Sequence, residues 1–157
     1  MNFEITELEY LSGKEAHIYS VILKGEEMTL LEQFFEENQE HKQELNEILN
    51  RILVMGESTG CRRQYFKPYE GRAGDGVMAL RVGQLRLYCL YFDKTAVFFG
   101  SGGYKPPEAH AYQEVPELNE KAEQMKDIAR IINNAIKDKD IEIDKDGSLI
   151  INNWEYE

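Results

Sequence analysis

GVMALRVGQLRLYCLYFDKTAVFFGSGGYK, residues Gly76 to Lys105, decides how the rest of the chain is arranged. It reads as three short strands joined by tight turns. Gly83-Gln84 is a Gly-X pair between two apolar runs, the signature of a two-residue type II′ hairpin. That turn makes Val82 face Leu85 and sets Arg81 directly opposite Arg86. Met78, Leu80, Leu87, Cys89 and Tyr91 then share one face. Val77, Ala79, Arg81, Arg86, Tyr88 and Leu90 share the other, and both faces are apolar enough to need a cover. Asp93-Lys94 marks the second turn. Pairing Phe92 with Thr95 places Ser101 beside Arg86, and Tyr104-Lys105 leaves the sheet at the same corner. Two arginines directly opposite each other repel. Such a pair needs an anionic partner, either an acidic side chain of the protein or a bound phosphate.

Working outward, residues 2–24 predict a hairpin, with Phe3, Ile5 and Leu8 on an inner face and Ser12-Gly13-Lys14 at the turn. From Glu26 to Met55 the periodicity becomes helical. Leu30, Leu31, Phe34 and Phe35 form one stripe, and Leu45, Ile48, Leu49, Ile52 and Leu53 form another. The polar run EENQEHKQE between them predicts two helices meeting near Asn38–His41, with Gly56 as a C-cap. Arg62 to Lys67 predicts an extended approach to Pro68, and Gly71 to Gly76 a glycine-rich loop. Pro106-Pro107 breaks the chain after the sheet. Glu117 to Lys137 carries a third helical stripe, and residues 140–152 read as a hairpin around Asp146-Gly147. The predicted class is α+β. A small antiparallel or mixed sheet packs against an N-terminal helix pair and a C-terminal helix, with an extra hairpin at each end. The whole, residues 1–157, forms one domain with its core at about 28–137.

The chain carries 18 basic and 29 acidic residues, for a net charge of −11. From Gly60 to Lys105, however, eight bases (Arg62, Arg63, Lys67, Arg72, Arg81, Arg86, Lys94, Lys105) meet only three acids, leaving −16 for the remainder. A basic sheet wrapped in acidic helices points to a localised anion site. No run is long and apolar enough to span a membrane, and the acidic start is unlike a signal peptide. Cys61 and Cys89 read as reduced cysteines of a cytoplasmic protein.

Several chemistries are poorly represented. GRAGDG lacks the GK[ST] ending of a phosphate-binding loop and precedes a strand, not a helix. No G-x-S-x-G occurs, and His17, His41 and His110 are scattered. No zinc or EF-hand spacing is present, so neither a metal nor a cofactor is expected. What remains is the cationic corner. Guanidinium groups stay charged and fork onto phosphates. They can hold a phosphodiester and stabilise the charge that develops as a ribose 2′-hydroxyl attacks it. Lys105 or Tyr104 would handle proton transfer, and Tyr65, Phe66 and Tyr104 would stack on splayed bases. The structural alternative pairs Arg81 and Arg86 with acids from the helices.

Two helices, then Lys67-Pro68, a glycine-containing loop, Leu80-Arg81-Val82, Leu85-Arg86-Leu87-Tyr88 and Tyr104-Lys105, then a helix, resemble the RelE/ParE superfamily of bacterial type II toxins. The likeness covers about residues 28–137 and is nearest the HigB or phage Gp49-like branch. The resemblance implies a cytoplasmic mRNA endoribonuclease that cleaves ribosome-bound mRNA without metal. It also implies a cognate antitoxin, expected to be a helix-turn-helix protein, and leaves a homodimer open. Carried over by position, Arg81, Arg86 and Lys105 are the catalytic candidates, with Lys67, Tyr104, Arg62 and Arg63 binding substrate. Two alternatives use the same fold: a non-catalytic ParE-like inhibitor of a protein target, and an interaction domain without nuclease activity.

Overall fold

The structure is a computed structural model and describes residues 2–68, 75–111 and 114–154. Its framework is a six-stranded mixed sheet in the order β1-β2-β6-β5-β4-β3. The strands are β1 (Phe3–Glu7), β2 (His17–Leu23), β3 (Lys67–Pro68), β4 (Val77–Val82), β5 (Leu85–Asp93) and β6 (Ala96–Tyr104). Every neighbouring pair is antiparallel except β2 and β6, which run parallel with His17 opposite Ala96. The predicted N-terminal hairpin is therefore not an appendage but one side of the main sheet.

Helices cover both faces of the sheet, as its two apolar faces require. α1 (Leu30–Glu37) begins at a capping box, in which Thr29 Oγ1 accepts from Glu32 N–H and the Glu32 carboxylate accepts from Thr29 N–H. It lies over β2 and β6. α2 (Lys42–Val54) follows a single 3₁₀ turn at Gln39–His41 and lies over β4. Phe34, Leu45, Ile48 and Ile52 pack there against Met78, Leu80, Leu87, Cys89, Val97 and Phe99. On the other face α3 (Pro116–Lys137) sets Leu118, Ala122, Met125, Ile128, Ala129 and Ile132 against Val77, Ala79, Tyr88, Leu90 and Phe98. Each of the three apolar stripes read from the sequence turns most of its residues to the sheet, but Leu53 is exposed and Phe35 and Leu49 are only partly buried. Among the described residues, no helix is long and apolar enough to cross a membrane.

The C-terminal hairpin, β7 (Ile141–Ile143) and β8 (Leu149–Ile151), is a separate two-stranded sheet. Asp144 N–H donates to Ser148 O and Gly147 N–H to Asp144 O, so the loop has three residues rather than two, with Gly147 at φ 94°. Tyr19 Oη donates to Gly147 O at 2.7 Å and ties this hairpin to β2. Trp154 lies against the Phe3 ring, 5.4 Å between centroids.

Two local expectations change: Arg63–Tyr65, read as part of an extended approach to Pro68, forms a 3₁₀ turn, and the cap expected at Gly56 moves to Gly60. Gly56 is not a C-cap: α2 continues into a π turn, Met55–Thr59, and the chain reverses at Gly60, φ 76°. Gly56 is needed because a Cβ there would collide with the Leu11 carbonyl, while its own carbonyl accepts from Glu15 and Ala16 N–H. The glycine-rich loop expected at Gly71–Gly76 lies outside the described residues as far as residue 74, and Arg72 with it.

Candidate functional site at the Gly83 hairpin

The register read from the turn is the one observed: Val82 pairs with Leu85 and Arg81 with Arg86. Gly83 has φ 56°, which the first position of a type II′ turn demands and glycine supplies without strain. Arg81 and Arg86 therefore share the face covered by α3, at the end of the sheet where α3 begins.

Their surroundings differ. Arg81 is exposed and makes no ion pair or hydrogen bond among the described residues. Arg86 is only 8% exposed. Its Nη1 donates to Gly83 O at 2.8 Å and to Leu85 O at 3.0 Å, strapping the turn from behind. Part of the negative partner that the opposed arginines require thus comes from peptide carbonyl dipoles. The repulsion is reduced further because one guanidinium points outward and the other folds back.

Ser101 does not stand beside Arg86 as the sequence register placed it. The β5–β6 turn pairs Asp93 with Ala96, and register shifts between Leu87 and Cys89 and between Tyr91 and Asp93 bring Gly103 opposite Arg86. A Cβ on Gly102 would overlap the Arg86 carbonyl oxygen, so the shifted strand fits only because that residue is glycine. Ser101 itself is 1% exposed, and its hydroxyl has no hydrogen-bond partner among the described residues.

The remaining candidates divide. Lys67 pairs with Ala79, so it shares the Arg81 face, and it is exposed at the β3 edge. Lys105 is buried, with Nζ donating to His110 O at 3.2 Å. Its backbone is clamped by Gln84, which accepts from Lys105 N–H and donates through Nε2 to Lys105 O. Tyr104 pairs with Leu85 and so belongs to the helix-pair face. Arg62 and Arg63 are exposed on the segment leading into β3. Arg63 lies near Tyr91, also on the helix-pair face, where burial raises the phenol pKa and Arg63 works against that rise. Arg63 therefore does not join the Arg81 surface. Of the aromatics expected to stack on bases, Phe66 is core, against Tyr91 and Phe99, and Tyr65 is half-buried beside α2.

His41, which the sequence leaves as one of three scattered histidines, has a defined place beside this corner. It closes the 3₁₀ turn before α2 and stacks on Tyr104, with centroids 4.3 Å apart and planes 4° from parallel. Its Nε2 lies 3.5 Å from Glu40 and its Nδ1 3.8 Å from Glu44. The Glu44 side chain also reaches the Gly83 turn. Its position in the polar break between two helices was the one available signal. Beside this stack a groove of about 490 Å³ runs between the α1–α2 junction, the end of β6 and the start of α3.

Neither thiol offers a nucleophile. Both are free and buried. Burial pushes Cys61 up to about 12, and Cys89 is also raised by burial. Among the described residues, no group of three or more His, Cys, Asp or Glu is placed to hold a metal ion. Comparison with protein families, with curated proteins and with solved structures finds no match to this chain.

Proposed function

We propose that this protein acts as a toxin of the RelE/ParE kind, engaging the backbone of translated mRNA at the Gly83 hairpin and cleaving it without a metal ion. One observation carries the reading: Arg81 is exposed and unpaired directly across from Arg86, with Lys67 on the same face. A phosphodiester set against Arg81 receives fork-shaped donors, and the buried cation behind it adds field in a partly desolvated site. The ribose 2′-hydroxyl loses its proton to water as its oxygen attacks phosphorus. The bond to the 5′-oxygen breaks to leave a 2′,3′-cyclic phosphate, and the charge that accumulates on the non-bridging oxygens faces these groups. Lys105 reaches the leaving 5′-oxygen as proton donor once its ammonium lets go of the His110 carbonyl. A cytoplasmic location and a helix-turn-helix antitoxin belong to the same reading.

Burial of Arg86 and Lys105 favours a second reading, in which the same surface binds without cutting, as a ParE-like inhibitor of a protein target would. Expression in a heterologous bacterium separates the two. The first expects growth arrest with cleaved transcripts, relieved by Arg81→Ala in a variant that keeps its circular dichroism spectrum. Arrest with DNA damage and intact transcripts selects the second. Arrest that persists unchanged in Arg81→Ala removes the site assignment.

A further inference from the structure

The groove beside the His41–Tyr104 stack has a chemistry opposite to that of the Arg81 face. Glu37, Glu40 and Glu117 line it, from the last turn of α1, the 3₁₀ turn and the first turn of α3. α1 carries no basic residue in its last turn, so the negative end of its dipole is not neutralised on the helix itself. Asn38, 6% exposed, also lines the groove. Its amide Nδ2 donates to Phe34 O at 2.8 Å, and among the described residues nothing donates to its amide oxygen. Glu37, Asn38, Glu40 and Glu117 thus line one cleft together with the stacked rings of His41 and Tyr104. Two of the carboxylates already have basic neighbours: Lys121 Nζ stands 3.7 Å from Glu37 and His41 Nε2 3.5 Å from Glu40.

We propose that this groove docks an arginine-bearing basic segment of a partner protein. A guanidinium offers five N–H donors and no acceptor, the complement of carboxylates and an amide oxygen. Its flat face adds to an aromatic stack, as a compact ammonium does not. The volume suits one or two extended side chains. RNA is excluded by the same carboxylates, which would meet phosphate with like charge. Because Gly103 both lines the groove and pairs with Arg86, an occupant lies against the strand end that supports the cationic face. The inference stands independently of the RNA reading.

The experiment is fluorescence anisotropy of a labelled Arg-Gly-Ser nonapeptide against the full chain at about physiological salt. Controls are a lysine peptide of equal charge, an acidic peptide and spermine as competitor. Glu37→Gln/Glu40→Gln/Glu117→Gln is expected to weaken the arginine peptide at least about tenfold. The charge-matched variant Glu9→Gln/Glu26→Gln/Glu27→Gln, exposed and outside the groove, is expected to change it less than about threefold. Equal losses in the two variants overturn the proposal in favour of general charge attraction. Failure of the arginine peptide to bind overturns it as well. Displacement by spermine at equal or lower concentration overturns the peptide in favour of a small polycation. RNA-binding or toxicity results leave this outcome untouched, so the two readings fail separately.

Discussion

At the scale of residues, the opposed arginines have different tasks. Arg86 fixes the turn that presents Arg81, because its guanidinium takes two carbonyls of the hairpin. Arg86→Ala is therefore expected to lower stability by about 1–3 kcal/mol, the cost of leaving the buried Leu85 carbonyl and the partly buried Gly83 carbonyl short of a donor. Arg81→Ala is expected to stay within about 0.5 kcal/mol, as for an exposed side chain with no partner. Urea unfolding of both variants checks this, and equal costs would contradict the division. Loss of function in Arg86→Ala would by itself say little about chemistry, whereas the same loss in Arg81→Ala would not report on folding. Cys61 and Cys89 offer a second check. With both thiols buried and raised, Ellman's reagent at about pH 8 is expected to label neither until denaturant is added.

At the scale of elements, what the sequence revealed depended on whether the information was local. The Gly83 hairpin was legible because turn chemistry and side-chain alternation agree there. The α3 stripe was legible because Leu118, Ala122, Met125, Ile128, Ala129, Ile132 and Ala135 repeat at helical spacing, and all are buried. The β5–β6 register was not, since its shift depends on Gly102 passing close to a carbonyl of the next strand, which no composition signal marks. Gly102→Ala is expected to cost about 2 kcal/mol or more, measured by thermal unfolding. The C-terminal hairpin carries its own pH dependence. Asp144, then donors from Ser148, hold Asp146 down from the ordinary 3.8 to about 2. A carboxylate with a depressed folded pKa contributes stability that is present above its unfolded value and is lost as pH falls towards about 2. NMR of the Asp146 side-chain carboxyl carbon is expected to show a midpoint well below 3.8; a midpoint at or above 3.8 would contradict it.

At the scale of the whole molecule, the basic window of the sequence is not one site in space. Arg81, Arg86 and Lys67 share a face, Tyr104 and Arg63 belong to the other, and Lys105 is folded under the segment that follows it. Register and alternation fix which side a residue takes; whether it remains in contact with water is set by what packs over it, which sequence spacing does not record. A surface with 29 acids against 18 bases repels itself. Raising sodium chloride from about 0.05 to 0.5 M is expected to raise the melting temperature while weakening binding of any polyanion. A melting temperature that falls with salt would mean that attractive pairs outweigh the self-repulsion. The parallel seam between β2 and β6 has a further consequence for biosynthesis. A nascent chain exposes β1 and β2 long before Ala96 has been translated, and a two-stranded ribbon is marginal in water by itself. The N-terminal ribbon must therefore wait, unlatched, for a neighbour made near the end of the sheet, and the native centre closes only once most of the polypeptide has left the ribosome.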